Sequence, residues 1–274
     1  MLAREVVRTL EEEGATVHAP TRRELDVTEQ AALIAAFEDL EPEAVFHCAA
    51  YTDVDGAESN PAEPYAVNAV ATARIARLCH DRDASLVYPS TDYVFSGEGS
   101  EPYRTDDPLS PLNVYGASKA AGECAVLAAP RGCVVRTSWL YGGGGANFVT
   151  SIVRKAREGG ALRVVTDQIG RPTWTRQLAR ILVSLQAGGA QGMFHATGGG
   201  QPVSWHGFAR AVLDHAGVGG EVVPVSSAEF GRAALRPAYS VLDCSETESR
   251  LGAIADWRAD LAAFFASAGN GVDD

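Results

Sequence analysis

Tyr115 and Lys119 are the residues of this chain best suited by type and spacing to do chemistry. In Tyr115-Gly116-Ala117-Ser118-Lys119 a phenol and an ammonium stand four residues apart, on one face of any helix that carries them. A phenol is too weak an acid to give up its proton readily at neutral pH. A nearby ammonium favours the phenolate and is expected to lower the tyrosine pKa towards the working range. The same ammonium could hydrogen-bond the ribose hydroxyls of a nicotinamide nucleotide and so hold a hydride donor beside the phenol. Thr91, in Ser90-Thr91-Asp92-Tyr93, offers a hydroxyl to a carbonyl oxygen, because ligands of parallel sheets sit beyond the carboxyl ends of the strands. The competing account is a chance pair on a solvated helix. Against it, the 23 basic residues include only two lysines, Lys119 and Lys155, and the first falls four after a tyrosine.

Such a centre needs strands to present it and helices to cover them. Leu2–Glu13 has helical periodicity ended by Gly14, Ala15–Ala19 reads as a short strand, and Thr28–Leu40 as a helix. Ala44–Cys48 reads as a buried strand running into Ala49-Ala50-Tyr51, and Pro61–Asp83 as one long helix. Ala84–Tyr88 is a strand leading to Thr91, Asn113–Ala129 a helix carrying Tyr115 and Lys119, and Cys133–Thr137 a strand. Beyond it, helices near Asn147–Glu158, Thr175–Ala187 and Ser204–Gly217 alternate with short strands at Leu162–Thr166, Met193–Ala196 and Glu221–Val225. The glycines of 142–145 and 198–200 read as loops between lobes, and 269–274 as a disordered tail. The alternation predicts an α/β fold, a doubly wound parallel Rossmann sheet with a smaller C-terminal substrate lobe. The nucleotide core is expected over 1–145 with about 174–198, and the substrate lobe over about 146–173 and 199–274.

The composition narrows the partners. A hydrophobic share of 46% and a charged share of 21% are ordinary for a folded protein. A net charge of −12 argues against nucleic acid and anionic membranes. No apolar run has membrane-spanning length and no signal-peptide pattern opens the chain, so a cytoplasmic protein, monomer or homodimer, is expected. The five cysteines lack a CxxC pair, and the six histidines are scattered, which predicts buried thiols and no metal site.

Six segments carry a resemblance: HCAAYTDVDGAE (47–58), STDYVFSG (90–97), YGASKAAGE (115–123), RTSWLYG (136–142), DQIGRPT (167–173) and RPAYSVLD (236–243). Together, in this order, they resemble the dTDP-4-dehydrorhamnose reductase family of the extended short-chain dehydrogenase/reductase superfamily. The resemblance implies Thr91, Tyr115 and Lys119 as catalytic triad, NADPH or NADH as cofactor and a dTDP-4-keto-6-deoxyhexose as substrate. Sugar-nucleotide dehydratases of the same branch carry an Asp-Glu pair after the threonine, because elimination needs an acid and a base. Here Asp92-Tyr93 follows, so reduction is expected, with both residues on sugar hydroxyls; Asp92 as a loop cap is the alternative.

A Rossmann fold opens with a strand and a glycine-rich turn, whereas this sequence opens inside the first helix. Met1-Leu2-Ala3 resembles the end of the family's GxxGxLG pattern, and in the strand order 3-2-1-4-5-6 the first strand is central. An N-terminally incomplete chain is therefore expected in preference to a real loss of cofactor binding. The cofactor contacts are expected from Arg22, Asp26, Ala49, Ala50, Tyr51 and Lys119. Ala19-Pro20-Thr21-Arg22-Arg23 lacks the acid that selects NAD and offers cations to the NADP 2′-phosphate, although Thr21 with Glu24 also reads as a capping box. For the substrate, Arg171 and Arg236 are diphosphate candidates, Asn147-Phe148 could offer helix-terminal donors, and Trp139 could cover the sugar. Each has a plainer role open to it: core filler for Trp139, surface ion pairs for the arginines. Two rival functions stay open, reduction of a different keto-sugar and a non-catalytic subunit similar to the regulatory subunit of methionine adenosyltransferase.

Overall fold

The computed structural model describes residues 1–268, and the expected disordered tail lies outside them. Helix α1 (Leu2–Glu12) ends where Gly14 turns left-handed at φ 81°, a conformation that costs glycine little. Helix α2 (Gln30–Leu40) follows, then strand β1 (Ala44–Phe46) and a short helix α3 (Val54–Ser59), which sequence periodicity does not reveal. The expected long helix is interrupted: α4 (Ala62–Tyr65) passes through a π-helical stretch (Ala66–Ala71) into α5 (Thr72–Asp81). Single-turn π stretches often mark functional sites, and this one contains Asn68. Strand β2 (Ser85–Thr91) reaches the end of the Ser90-Thr91 pair, helix α6 (Val114–Leu127) carries Tyr115 and Lys119, and strand β3 (Gly132–Thr137) follows.

The second half contains β4 (Leu140–Tyr141), α7 (Phe148–Glu158), β5 (Leu162–Val165), β6 (Ile169–Gly170), β7 (Thr173–Trp174) and α8 (Thr175–Ala187). It continues with β8 (Gly192–His195), β9 (Val203–Ser204), α9 (Trp205–Ala216) and β10 (Val222–Val225). Three helices with no clear periodic signal close the chain: α10 (Ser227–Phe230), α11 (Ser245–Leu251) and α12 (Trp257–Ala268).

The main sheet is parallel in the order β1-β2-β3-β8, so β8 joins from far along the chain. Alternate residues of the central strands face opposite layers. Val87, Cys133 and Val135 pack with Val6 of α1 and Leu178, Leu182 and Val183 of α8. Leu86, Tyr88 and Val134 pack with Leu33 and Phe37 of α2, Ile75 and Cys79 of α5 and Val126 of α6. A separate aromatic core, with Tyr141, Trp174, Phe208, Trp257 and Phe264, holds α7, α9 and α12 around the small sheets. Among the described residues no helix is long and apolar enough to cross a membrane.

One expected strand is absent. Ala15–Ala19 is irregular and mostly exposed, and β1 pairs with β2 alone. No described strand lies beside 15–19 to take up its backbone hydrogen bonds, so an extended run there gains nothing from a ladder.

Helix α6 lies against the π-helical stretch and β2 with no room to spare. A side chain on Gly122 would collide with the Asn68 carbonyl and come to 2.6 Å from the Tyr88 hydroxyl. Gly122→Ala should therefore destabilise the protein by about 1–3 kcal/mol, even though alanine is the better helix former. Urea denaturation checks this; an unchanged or raised midpoint would mean that α6 is free to shift.

Candidate active site

Strand β2 ends at Thr91, and a 3-10 turn over Asp92–Val94 begins there, with the Thr91 hydroxyl accepting from the Tyr93 N–H at 3.1 Å. Opposite, Asn113 caps α6 by accepting from Gly116 N at 2.8 Å, while Glu58 of α3 accepts from Val114 N at 2.8 Å. Two acceptors at the first turn satisfy helix donors that would otherwise lack partners. Gly116 is required by contact: a Cβ there would overlap the Tyr93 carbonyl. With α6 pressed onto the 3-10 turn, the Tyr115 hydroxyl comes near Thr91, and the Tyr93 and Tyr115 rings meet edge to face at 6.0 Å.

Lys119, one turn on, is buried, and its Nζ donates to the Pro89 carbonyl at 2.8 Å and sits 3.8 Å from the centre of the Tyr88 ring. Burial lowers its pKa to about 7, while Glu123 and Cys48 pull it upward. Tyr115 departs from the sequence expectation. Burial pushes its phenol up to about 12; the Thr91 hydrogen bond lowers it, the Asp92 charge raises it, and Lys119 is not among the causes. The lysine lies against Pro89 and Tyr88, so the two side chains share a helix face without the ammonium dominating the phenol. Burial thus favours the protonated phenol at neutral pH.

Asp92 is 2% exposed. Its Oδ1 accepts from the Thr91 hydroxyl at 3.1 Å, whereas Oδ2, beside the Ser240 hydroxyl, makes no well-formed hydrogen bond. Burial raises this carboxyl to about 7 against the pull of Ser240 and Thr91. The remaining contacts of this carboxyl are local, to the Asp92 and Tyr93 N–H groups, and leave Oδ2 unsatisfied.

The substrate candidates fall into two groups. Arg236 reaches the site: it lies near the Tyr93 hydroxyl, and its guanidinium forks onto Asp55 of α3 at 3.1 and 3.0 Å. Arg232 adds a third cationic contact to Asp55 at 3.1 Å, and the Asp55 carboxyl is held down at about 2, first by Arg236. The ion-pair role foreseen for Arg236 is thus present, although with α3 rather than free on the surface. Trp139 stands in left-handed backbone at φ 49° and stacks on Trp205 at 3.7 Å, with Gly170 under its ring. A bulky residue held in that conformation costs on the order of 1–3 kcal/mol, the kind of strain that collects at binding sites.

Arg171 and Asn147 are engaged elsewhere. Arg171 donates to the Leu242 carbonyl at 3.2 Å and lines a cleft with Asp243, Cys244 and Glu248. Asn147 is the N-cap of α7: its Oδ1 accepts from Val149 N and Thr150 N, and its own N–H donates to the Thr150 hydroxyl. This capping box engages the N–H groups of Asn147, Val149 and Thr150.

On the cofactor side, Ala49 and Ala50 are small and exposed beyond β1, and Asn68 pins Tyr51 by accepting from its N–H at 2.9 Å and donating to its carbonyl at 3.1 Å. Asn68 also donates to the Ser118 hydroxyl at 2.9 Å, tying this ledge to α6. Cys48, which precedes this ledge, lies within electrostatic reach of the Lys119 ammonium. Arg22 is exposed and 3.5 Å from Asp26, which accepts from Thr28 N; Thr21 donates to Glu24 through both N–H and hydroxyl. Only half of the capping box of 21–24 forms, since Glu24 N donates to the Thr21 carbonyl instead of its hydroxyl, and the Arg22 guanidinium faces solvent.

Asn68, Asp55, Ser90 and Glu123 are residues of the site that motif spacing did not single out. Glu123, four after Lys119 in the YGASKAAGE segment, had a signal in its period; Asn68 had none. The distant segments noted above do converge: Gly97 packs on Pro237, Tyr239 N donates to Gly97 O, and Ile169 N donates to Ala238 O.

Known proteins share this architecture. The chain is 42% identical over 274 residues to a dTDP-4-dehydrorhamnose reductase of Streptomyces griseus, covering 97% of this chain and 90% of the relative. It is equally 42% identical, over 266 residues, to a probable dTDP-4,6-dihydroxy-2-methyloxan-3-one 4-ketoreductase of Streptomyces antibioticus, covering 95% and 90%. The crystal structure of dTDP-4-dehydrorhamnose reductase from Bacillus anthracis in complex with NADP superposes with a TM-score of 0.94 at 35% identity, covering 97% of this chain and 95% of that one. Over residues 1–269 the chain matches the RmlD substrate binding domain family, and it belongs to that family.

Proposed function

We propose that the chain is a reductase passing hydride from NADPH to the 4-keto group of a dTDP-4-keto-6-deoxyhexose, in the simplest case dTDP-4-dehydrorhamnose to dTDP-L-rhamnose. The observation that carries this reading is the buried Tyr115 phenol beside Thr91 at the end of β2, with Lys119 one helical turn away and held to Pro89 O. A bound nicotinamide would supply the hydride that the carbonyl carbon receives. Tyr115 gives its proton to the carbonyl oxygen as negative charge develops there, an alkoxide being far more basic than a phenolate. Thr91 hydrogen-bonds the same oxygen and keeps it on line. Lys119 donates to the ribose hydroxyls, and Ala49, Ala50 and Tyr51 form the ledge below.

Asp92 and Tyr93 contact sugar hydroxyls, Trp139 covers an apolar sugar face, and Arg236 faces the diphosphate. The nucleotide is held by residues 1–145 with about 174–198, the sugar by the remainder. Support for the cofactor and the substrate comes from the relatives' names, and the NADP-bound likeness favours NADPH over NADH. The equal identity to a ketoreductase named for another dTDP-linked keto-sugar supports a second reading, a different sugar at the same site. NADPH consumption measured across a panel of dTDP-4-keto sugars separates the two. No turnover of any member would favour a non-catalytic subunit.

Three outcomes follow from the geometry. Tyr115→Phe should lower turnover by roughly 10²–10⁴-fold with the fold intact, since only the proton donor is lost; more than about a tenth of wild-type turnover would refute the assignment. Arg22→Ala with Arg23→Ala should weaken NADPH more than NADH, because only one of them carries the 2′-phosphate. Equal effects, read by fluorescence titration, would leave these arginines to the surface turn.

The third outcome concerns Asp92. Its folded pKa of about 7 lies above the ordinary value of 3.8, so between these the folded chain holds a proton that the unfolded chain has lost. Stability contributed by this group is present in acid and disappears as pH rises through 7. Asp92→Asn should therefore be more stable than the parent at pH 8 by on the order of 1–3 kcal/mol and about equal at pH 4, while turning over more slowly. Parallel pH–stability curves from urea melts would exclude Asp92 as the source.

A further inference from the structure

We propose that Glu123 is a positioning residue for this reaction, fastening the end of β2 through Ser90 and supplying the buried negative charge that faces Lys119. The inference rests on the roles given above to Tyr115 and Lys119. Tyr115, Lys119 and Glu123 stand at four-residue intervals on one face of α6. Against them lie three consecutive residues of β2. Thr91 lies beside Tyr115, Pro89 O accepts from Lys119 at 2.8 Å, and the Ser90 hydroxyl donates to Glu123 Oε1 at 2.5 Å. One helix stripe thus holds the whole strand end.

Glu123 is 1% exposed and pairs with Arg136 of β3, which is 3% exposed, through Nε at 3.0 Å and Nη2 at 2.8 Å. Arg136 also donates to the Thr105 carbonyl, meets His195 and lies over the Phe95 ring. A buried ion pair of this kind is often no more stable than an apolar pair of the same volume, so stability alone is weak reason for a carboxylate at this position.

The surroundings of Lys119 give a better reason. His47 and Cys48 face it from the end of β1, Tyr88 from β2, Tyr115 and Glu123 from its own helix, and Arg136 stands behind Glu123 on β3. Burial keeps His47 neutral, down at about 3, and pushes the Cys48 thiol up to about 12. Both tyrosines are likewise raised by burial and neutral. Among these groups Glu123 is the one carboxylate acting on Lys119, and its effect opposes the loss of the ammonium proton to burial.

The test compares the pH dependence of kcat/KM for NADPH-driven reduction in Glu123→Gln and Ser90→Ala. Glu123→Gln keeps an acceptor for Ser90 and removes the charge, so Lys119 should lose its proton earlier. The alkaline limb of the profile should move down by roughly 1 pH unit. Ser90→Ala keeps the charge and loses the tie to the strand, so kcat should fall several-fold with the limb unmoved. Glu123→Gln leaves Arg136 unpaired; if it does not fold, the double variant Glu123→Gln with Arg136→Met removes both charges and should move the limb in the same direction. A lowered rate with an unmoved alkaline limb in the folded variant would make Glu123 purely structural and overturn the inference, as would wild-type behaviour of both. Failure of the underlying reading looks different: Tyr115→Phe would then remain active whatever Glu123 does.

Discussion

The site depends on how closely one helix can approach one strand end. Thr91 can meet Tyr115, Pro89 can meet Lys119 and Ser90 can meet Glu123 only if α6 lies almost in contact with β2. Gly116 makes room for the Tyr93 carbonyl, and Gly122 for the Asn68 carbonyl and the Tyr88 hydroxyl. Glycine lowers helix propensity at both positions, so local stability is given up for proximity. The close approach in turn presents the π-helical Asn68 to Ser118 and Tyr51, joining the segment beyond β1 to α6.

That proximity also sets the electrostatics. Water is excluded from the junction, and desolvation is the largest influence on Tyr115, Lys119, Asp92 and His47. It keeps the phenol and Asp92 more protonated than in water and drives the ammonium and imidazole towards neutrality. A proton donor for carbonyl reduction gains from the first effect, since it must arrive protonated. An ammonium that must stay charged is harmed by the second, and the carboxylate one turn beyond it offsets this.

The far wall is built from charge pairing. Asp55 of α3 gathers Arg232, Arg236 and the Ala234 N–H, holding the 232–236 segment over the mouth of the site beside Tyr93. Asn113, the cap of α6, fastens the same segment by donating to Leu235 O at 2.8 Å. Arg232 and Arg236 are therefore positioned by the acid of α3 and the cap of α6, and Arg171, in the DQIGRPT loop, is engaged with the Leu242 carbonyl.

The sequence by itself determined the alternation of helices and strands, the helix face shared by Tyr115 and Lys119, the place of Thr91 at a strand end, and through its six segments the family. These are local properties: a period of 3.6 residues, a run of β-branched residues and a capping side chain are visible without knowing what lies opposite. Partnership was decided only in the tertiary structure. Ala15–Ala19 has the residues of a strand and forms none, because a ladder needs a neighbour. Asn147 has the position of an anion donor and spends its hydrogen bonds capping its own helix. The Tyr115 phenol lies next to an ammonium in sequence period yet is raised by burial, since a pKa reports the dielectric around a group as well as its nearest charge. Asn68 and Asp55 enter the site through partners 17 and 181 residues away, at separations no periodic pattern encodes.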